Sequence, residues 1–314
     1  MSPRKIVVFG PTGGVGSAVI PVVHSYGHKV FLAMRDPSKL IPGLSVAEEQ
    51  SSDRYERIQA DLNKPDTVRA AVSKTGATHA FLYAALGTTP DHMRGTAEAL
   101  KAAGIEFVVL LSSSAIHGDA RAVEPSDYVA YEHAQVEISL EDVFGPRGYV
   151  TVRPAFFSSN TLWWQKQIVE DGEVRWAFPE LNFDLISPDD IGAVCGTILA
   201  GAVEGKQEKV IDLAGPETDL SVAGVIETIA KVINKPIKVT KITPEENVQV
   251  MAEKSGLGEG LAKVLTGNFA RASENQELLS GHLTPEMRSN IEKYLKRPAQ
   301  RFSEWAEHHK DLFQ

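Results

Sequence analysis

The sequence predicts an α/β protein of the Rossmann type: a doubly wound parallel sheet joined to a smaller, mostly helical subdomain on the substrate side. Three observations carry that expectation. Short apolar runs alternate with helical patterns as far as residue 154, a glycine-rich turn links the first run to the first helical pattern, and aromatic residues gather where the alternation weakens. Such alternation calls for parallel strands with helical crossovers. Strands covered on both faces are apolar almost throughout.

In chain order, KIVVFG reads as a buried strand and GVGSAVIPVVHSYG as the helix after it. HKVFLAMR is a second strand, YERIQADL a third, and DTVRAAVSKTG the helix that follows. THAFLYAAL, IEFVVLLSSS and YVTVRP supply three more strands, separated by helical DHMRGTAEALKAAG and DYVAYEHAQVEISLEDVF, and EKVIDLAG is a seventh. The stretch 40–54, LIPGLSVAEEQSSDR, is long for a connection in such a fold, and loops of that length tend to be functional or mobile. Ser187, Pro188 and Asp190 have the spacing of a helix N-cap, first and third helical residue, and Thr243, Pro244 and Glu246 repeat it. These patterns divide the chain into a dinucleotide-binding part, 1–155 and 187–216, and a substrate-side part, 156–186 and 217–314.

The 314 residues are 43% hydrophobic and 23% charged, ordinary for a globular protein, and the net charge is -9 without a basic block. That balance argues against nucleic acid and against an anionic membrane surface as partners. The lone cysteine, Cys195, lies in an apolar helical pattern and reads as a buried small hydrophobe. With no disulfide framework, a reducing compartment is expected. The apolar run Ile6 to Phe9 is too short for a signal-peptide core, and no run suggests a membrane span. A cytoplasmic protein is the expectation. The nine histidines show no metal-ligand spacing, and no G-x-S-x-G elbow occurs.

FGPTGGVGSAVI places Gly10, Gly13 and Gly16 directly between a strand and a helix, the context that gives such a pattern meaning. Gly10 would allow the tight turn, Gly13 the approach of a pyrophosphate, and Gly16 close packing of helix on strand. At the end of the second strand, Arg35 and Asp36 stand side by side. An acidic residue here would bind the ribose hydroxyls of NAD, and an arginine would accept the 2′-phosphate of NADP. Both fit by count. Arg35 is the first residue past the apolar run and Lys39 adds charge, which favours NADP(H). Asp61 and Leu62, after the third strand, mark the expected adenine position, with a helix cap as the rival role for Asp61.

These pieces, with ADLNKPDTV, HAQVE, VRPAFFSSN and ISPDDIG, resemble the NmrA-like family, an atypical branch of the short-chain dehydrogenase/reductases. The likeness runs from residue 6 to about 200, and LAGPETDLSVAGVIETIAKVINKPIKVT extends it. The resemblance implies NADP(H) in a Rossmann domain. It implies one of three activities: a quinone or phenylpropenoid reductase, another enzyme of secondary metabolism, or a catalytically silent redox sensor. It assigns the phosphate loop to Gly10, Thr12, Gly13, Gly14, Val15 and Gly16, and 2′-phosphate recognition to Arg35. Ala84, Ala85, Leu86 and Gly87 would border the ribose, and Pro154, Phe156 and Phe157 would lie near the nicotinamide. The family's lysine maps onto His133, in the H-x-x-V-E setting of some quinone reductases.

YVAYEHAQVE contains no lysine: Tyr128 is followed four residues on by Glu132, and Tyr131 by Gln135. The usual Tyr-x-x-x-Lys pair is therefore absent. Helical spacing puts Val129, His133, Val136 and Leu140 on one inward stripe. His133 can there meet a ribose hydroxyl, relay a proton, or serve only the core. Tyr128 remains a candidate donor to a substrate oxygen. Ser112, Ser113 and Ser114 end the fifth strand at its carboxyl edge, where ligands of open α/β sheets bind. Phe157, Asn160, Trp163, Trp164, Trp176 and Phe178 form an expected pocket for a flat, apolar molecule. The sequence thus supports an NADP(H)-dependent oxidoreductase of a small hydrophobic substrate. Two alternatives stand beside it: an NADP(H)-sensing regulator that binds a partner protein, and a non-redox cyclase or isomerase on the same fold.

Overall fold

The apolar run Lys5–Phe9 forms strand β1, with Ile6, Val7 and Val8 wholly buried, in a computed structural model that describes residues 2–87, 89–203, 208–277 and 281–314. The remaining strands are β2 (Lys29–Met34), β3 (Tyr55–Gln59), β4 (His79–Tyr83), β5 (Phe107–Leu111), β6 (Tyr149–Pro154), β7 (Glu173–Trp176), β8 (Val210–Leu213) and β9 (Lys238–Lys241). Seven of them make one parallel sheet in the order β3-β2-β1-β4-β5-β6-β8. The order reverses between β1 and β4, and a crevice opens at the carboxyl ends of strands flanking such a switch.

The chain forms two compact units, one comprising the residues up to Pro154 with Pro188–Leu213 and Ser289–Pro298, the other Ala155–Ser187, Ala214–Arg288 and Ala299–Gln314. The first unit contains the seven-stranded sheet with helices α1 (Gly14–Ser25), α2 (Val46–Ser51), α3 (Pro65–Val72), α4 (Arg94–Ala102), α5 (Tyr128–Phe144) and α6 (Pro188–Ala200). On one face of the sheet, α3, α4 and α5 bury Val68, Val72, Leu100, Val136 and Leu140 against Val7, Phe9, Leu82, Val108 and Leu110. Each such side chain contributes about 1.5–3 kcal/mol. On the other face α1 and α6 meet almost backbone to backbone. A β-carbon on Gly192 would lie 2.5 Å from Ala18 Cβ, and one on Gly196 would lie 2.8 Å from Val22 Cβ. That close approach fixes α1, whose first turn carries the glycine loop.

Two sequence expectations change here. The stretch 40–54 is not a plain loop: it contains α2, started by a capping box in which Ser45 and Glu48 satisfy each other's backbone amides. Residues 289–298 group with the sheet rather than with the rest of 217–314. Asn290 Nδ2 donates to Asp212 O, Lys293 pairs with Glu208, and Arg297 pairs with Asp190. The expected helix start at Thr243 is a capping box with Glu246.

The second unit holds the two-stranded parallel sheet of β7 and β9 with α7 (Val222–Val232), α8 (Pro244–Lys254), α9 (Glu259–Glu274) and α11 (Phe302–His308); α10 is Pro285–Leu295. Its core is aromatic: Trp164, Trp176, Phe178, Phe183, Phe269, Phe302 and Trp305 are buried together. Among the described residues, no helix is long and apolar enough to cross a membrane.

Candidate functional site

The turn after β1 is built as the glycine spacing requires. Gly10 has φ +67°, in the left-handed region that a side chain rarely adopts. A β-carbon on Gly16 would lie 2.2 Å from Gly10 O, so only glycine lets α1 seat on β1. Gly13 differs: its β-carbon would meet nothing nearer than Gly10 O at 3.5 Å. No side chain caps α1 at Gly13. The first-turn amides of Gly14, Val15 and Gly16 have no acceptor within the helix, which is the property that makes a helix start a phosphate cradle.

The loop after β2 separates the roles of Arg35 and Asp36. The Asp36 carboxylate accepts the Ser38 amide at 3.0 Å and the Ser38 hydroxyl at 2.6 Å, bonds that hold its pKa below the usual carboxylate range. Arg35 is exposed and, among the described residues, makes no ion pair. It borders a groove of about 660 Å³ with Gln59, Asp61 and Lys64. Strand β3 grips this loop: Arg57 Nη1 donates to Pro37 O at 2.5 Å and to Lys39 O at 2.7 Å, and Gln59 Nε2 donates to Arg35 O at 3.0 Å. Asp61 accepts the Asn63 amide at 3.0 Å ahead of α3. The Leu62 side chain, expected beside the adenine, is 5% exposed and packs in the core cluster of the sheet.

The segment after β4 is clasped by α5. Gly87 has φ +62°, and its amide donates to Glu132 Oε2 at 3.0 Å. The exposed Tyr128 hydroxyl lies 2.9 Å from where a Gly87 β-carbon would be. His92 Nδ1 stands 3.6 Å from the same Glu132 carboxylate. His92 and Met93 both have positive φ, 48° and 62°, and Met93 Sδ accepts the Ala85 amide at 3.2 Å. Tyr83, which the sequence did not single out, covers the glycine turn: a β-carbon on Gly10 would fall 2.7 Å from its ring.

At the end of β5, Ser112 is 3% exposed, and its hydroxyl donates to Glu137 Oε1 at 2.5 Å. Its side chain belongs to a buried ion-pair network around Glu137. Ser113 is half-buried, and its oxygen accepts the Ala115 amide at 3.2 Å. His133 lies one helical turn before Glu137 on the inward stripe of α5. Its Nδ1 is shielded from solvent and has no hydrogen-bond partner among the described residues. Burial drives its pKa down to about 4, against a smaller upward pull from Glu137. The imidazole is therefore neutral near pH 7 and offers one donor and one acceptor. A buried polar atom left unpartnered calls for a polar partner.

In the second unit the aromatic residues split by burial. Phe157, Asn160 and Trp163 are half-buried. Trp164 and Trp176 are 1% exposed and meet edge to face at 5.3 Å, and Phe178 is 6% exposed. All three side chains pack in the buried cluster: Trp164 ends the 3₁₀ turn Ser158–Trp164, Trp176 ends β7, and Phe178 follows it by two residues. Phe156 stacks on Phe183 with ring centroids 3.9 Å apart, and its amide donates to the buried Asp184 carboxylate at 3.1 Å. Pro154 closes β6, its carbonyl accepting the Ser114 amide at 3.0 Å.

The switch-point crevice, the glycine turn and the open helix start define a Rossmann-type dinucleotide-binding protein. The model of the NmrA-like family matches residues 2–306, and the chain belongs to that family. It is 35% identical to the nitrogen metabolite regulation-like protein bik4 of Gibberella fujikuroi, over 96% of this chain and 95% of that one. It is 25% identical to a (4-alkanoyl-5-oxo-2,5-dihydrofuran-3-yl)methyl phosphate reductase of Streptomyces griseus, over 98% and 99% of the two chains. Among solved structures it is similar in fold to an NADPH-dependent quinone oxidoreductase of Escherichia coli complexed with NADPH. That likeness has a TM-score of 0.70 and 22% identity over 97% of this chain and 99% of the other.

Proposed function

We propose that the chain is an NADP(H)-dependent oxidoreductase of a small hydrophobic substrate such as a conjugated carbonyl, a quinone or a secondary metabolite. The observation that carries this reading is the loop after β2, where Asp36 is turned back onto Ser38 while the exposed Arg35, without an ion pair among the described residues, borders the groove. An arginine so placed suits a 2′-phosphate, whereas NAD selection needs the carboxylate. The first unit would bind the dinucleotide through Gly10, Thr12, Gly13, Gly14, Val15, Gly16, Arg35 and Lys39. Asp61 and the segment Ala84–Gly87 would border it. NADP(H), when bound, supplies the hydride chemistry.

The chain's own residues position and polarise. His133 Nδ1 would hydrogen-bond a ribose or substrate hydroxyl while the ring stays neutral. Ser113, at the carboxyl edge of the sheet, has a hydroxyl proton to give a substrate oxygen, and Tyr128 is a second donor. Phe157, Asn160 and Trp163 of the second unit would take the flat, apolar part of the substrate. One buried thiol and this cofactor fit the cytoplasm.

A second reading, an NADP(H)-responsive regulator with a protein partner, is favoured by the relative at 35% identity and by Glu132 standing where Tyr128 would need a lysine. Calorimetry with NADPH and NADH, beside a turnover screen of quinones and conjugated carbonyls, separates the readings. Tighter NADPH binding with turnover supports the oxidoreductase, and tight NADPH binding with no turnover supports the regulator. Equal or tighter binding of NADH removes both.

A further inference from the structure

The edge strand β3 holds the Arg35–Lys39 loop by its backbone. Residues 57 and 59 share one side of the strand, and there Arg57 and Gln59 reach three carbonyls at alternate loop positions. Gln59 donates to Arg35 O, and Arg57 Nη1 donates to both Pro37 O and Lys39 O. The other edge of the Arg57 guanidinium is closed by Glu49, with Nε–Oε1 at 2.6 Å and Nη2–Oε2 at 2.7 Å. A two-pronged pair of this kind fixes orientation as well as charge. Glu49 comes from α2, a helix that buries no side chain. Apolar packing therefore does not account for α2, whereas the grip on Arg57 does. Inside the loop, Asp36 is bound to Ser38.

We propose that Arg57, supported by Gln59 and Glu49, is a positioning residue that sets selectivity for the 2′-phosphate of NADP(H). The proposal rests on the cofactor reading above. Arg35 is exposed, and an exposed arginine on an unheld loop must order the loop when it binds a phosphate. That ordering consumes much of the gain from binding. Holding the carbonyls of residues 35, 37 and 39 orders the loop beforehand. Arg57 spends all four of its observed bonds on protein atoms and acts through Arg35 and Lys39 rather than on the ligand. Lysine cannot substitute, since one ammonium cannot span two carbonyls and a carboxylate with fixed geometry.

The test compares 2′,5′-ADP with 5′-ADP by calorimetry, so that it needs neither nicotinamide nor turnover. Wild type should bind 2′,5′-ADP more tightly. Arg57→Ala should narrow that preference about ten-fold while 5′-ADP affinity stays within about two-fold. Arg57→Lys should not restore it. A folded Arg57→Ala protein with unchanged preference, or with equal losses for both ligands, overturns the proposal. If Arg57→Ala does not fold, Gln59→Met removes the Arg35 carbonyl contact with a side chain of similar length in the groove wall. It should narrow the preference about three-fold, and an unchanged preference again overturns the proposal. A wild type that does not distinguish the two ligands overturns the NADP(H) reading itself.

Discussion

The Glu137 carboxylate receives Arg153 twice, Nη2 at 2.6 Å and Nε at 2.9 Å, with both side chains 4% exposed. Ser112 and Thr151 donate to the same carboxylate, and Arg153 Nη1 donates to Gly118 O at 2.9 Å. The network ties α5 to the ends of β5 and β6, and so sets the helix that carries His133 and Glu132. Removing one partner strands a buried charge, which typically costs about 3–5 kcal/mol, whereas replacing both with apolar groups can be nearly neutral. Arg153→Met should therefore lower stability by about that amount, and Glu137→Leu together with Arg153→Met should recover most of it. Urea melts of the single and double variants measure this. A double variant no better than the single would mean that the pair is not coupled as the geometry states.

The glycine loop separates two kinds of loss. Gly16→Ala puts a β-carbon 2.2 Å from Gly10 O, a backbone atom that cannot move aside, so the expected loss is in stability. A β-carbon at Gly13 instead meets only Gly10 O, at an ordinary contact distance of 3.5 Å. The melting curve of Gly13→Val should stay close to wild type while NADPH binding disappears, because the side chain fills the phosphate cradle. Retained NADPH affinity in Gly13→Val, read by calorimetry, would place the phosphates elsewhere.

Glu132 clasps the segment after β4 through the Gly87 amide at 3.0 Å. Glu132→Ala removes that acceptor, and the positive-φ residues Gly87, His92 and Met93 lose part of their support. Stability should fall by only about 1 kcal/mol, but amide exchange across 84–93 should quicken and NADPH affinity should drop several-fold. Glu132→Gln keeps an acceptor and should behave nearly as wild type. Hydrogen exchange by mass spectrometry decides, and unchanged protection at 84–93 in Glu132→Ala would refute the clasp.

The inner strands of the main sheet were legible because strands covered on both faces must be apolar, while the edge strand β3, YERIQ, is half polar and was legible by its place in the β-α alternation. Ile6–Phe9 and Val108–Leu111 leave no other reading. β7 and β9 were not, since EVRW and KVTK are short and half polar. α2 was passed over although Ser45 and Glu48 spell a capping box, because six residues with no buried face give no helical periodicity. The glycine triplet and Arg35 carry their context in sequence. Arg57 does not: its partners sit 8 to 20 residues away on a helix and a loop, and only the fold brings them together. Arg153 in an apolar strand was a signal that a buried partner must exist, and Glu137, one turn past His133 on α5, is that partner. Trp163 and Trp164 could not be sorted, because a 3₁₀ turn follows neither the helical nor the strand period.

The tryptophans can be sorted by experiment. Trp164→Ala and Trp176→Ala should each cost about 3–5 kcal/mol, the range for emptying a large core site. Trp163→Ala and Phe157→Ala should cost less and should instead raise KM or lower kcat while sparing NADPH affinity. Denaturant melts beside kinetics separate the groups. If Trp163→Ala proves as destabilising as Trp164→Ala and leaves KM untouched, Trp163 is core and the substrate face lies elsewhere.

His133 gives the last expectation, and its sign follows from burial. Its folded pKa is down at about 4 and that of His79 is also about 4, both through desolvation, while an unfolded histidine titrates near 6.5. Between these values the unfolded chain holds protons that the folded chain does not. Stability is therefore full above about pH 6.5 and is lost as the pH falls toward 4, by at most about 1.4 kcal/mol per pH unit for each group. His133→Asn keeps polar character without a titrating ring and should flatten part of that slope, as measured by urea midpoints at several pH values. The same neutrality bears on chemistry. A neutral imidazole that only meets a hydroxyl should make His133→Ala cost a few-fold in activity or NADPH affinity, against about 10²–10⁴-fold for an acid-base catalyst. The pH profile of kcat/KM should then show no limb near 6.5. A limb there that vanishes in His133→Asn, with a loss in the larger range, would make His133 the proton relay instead.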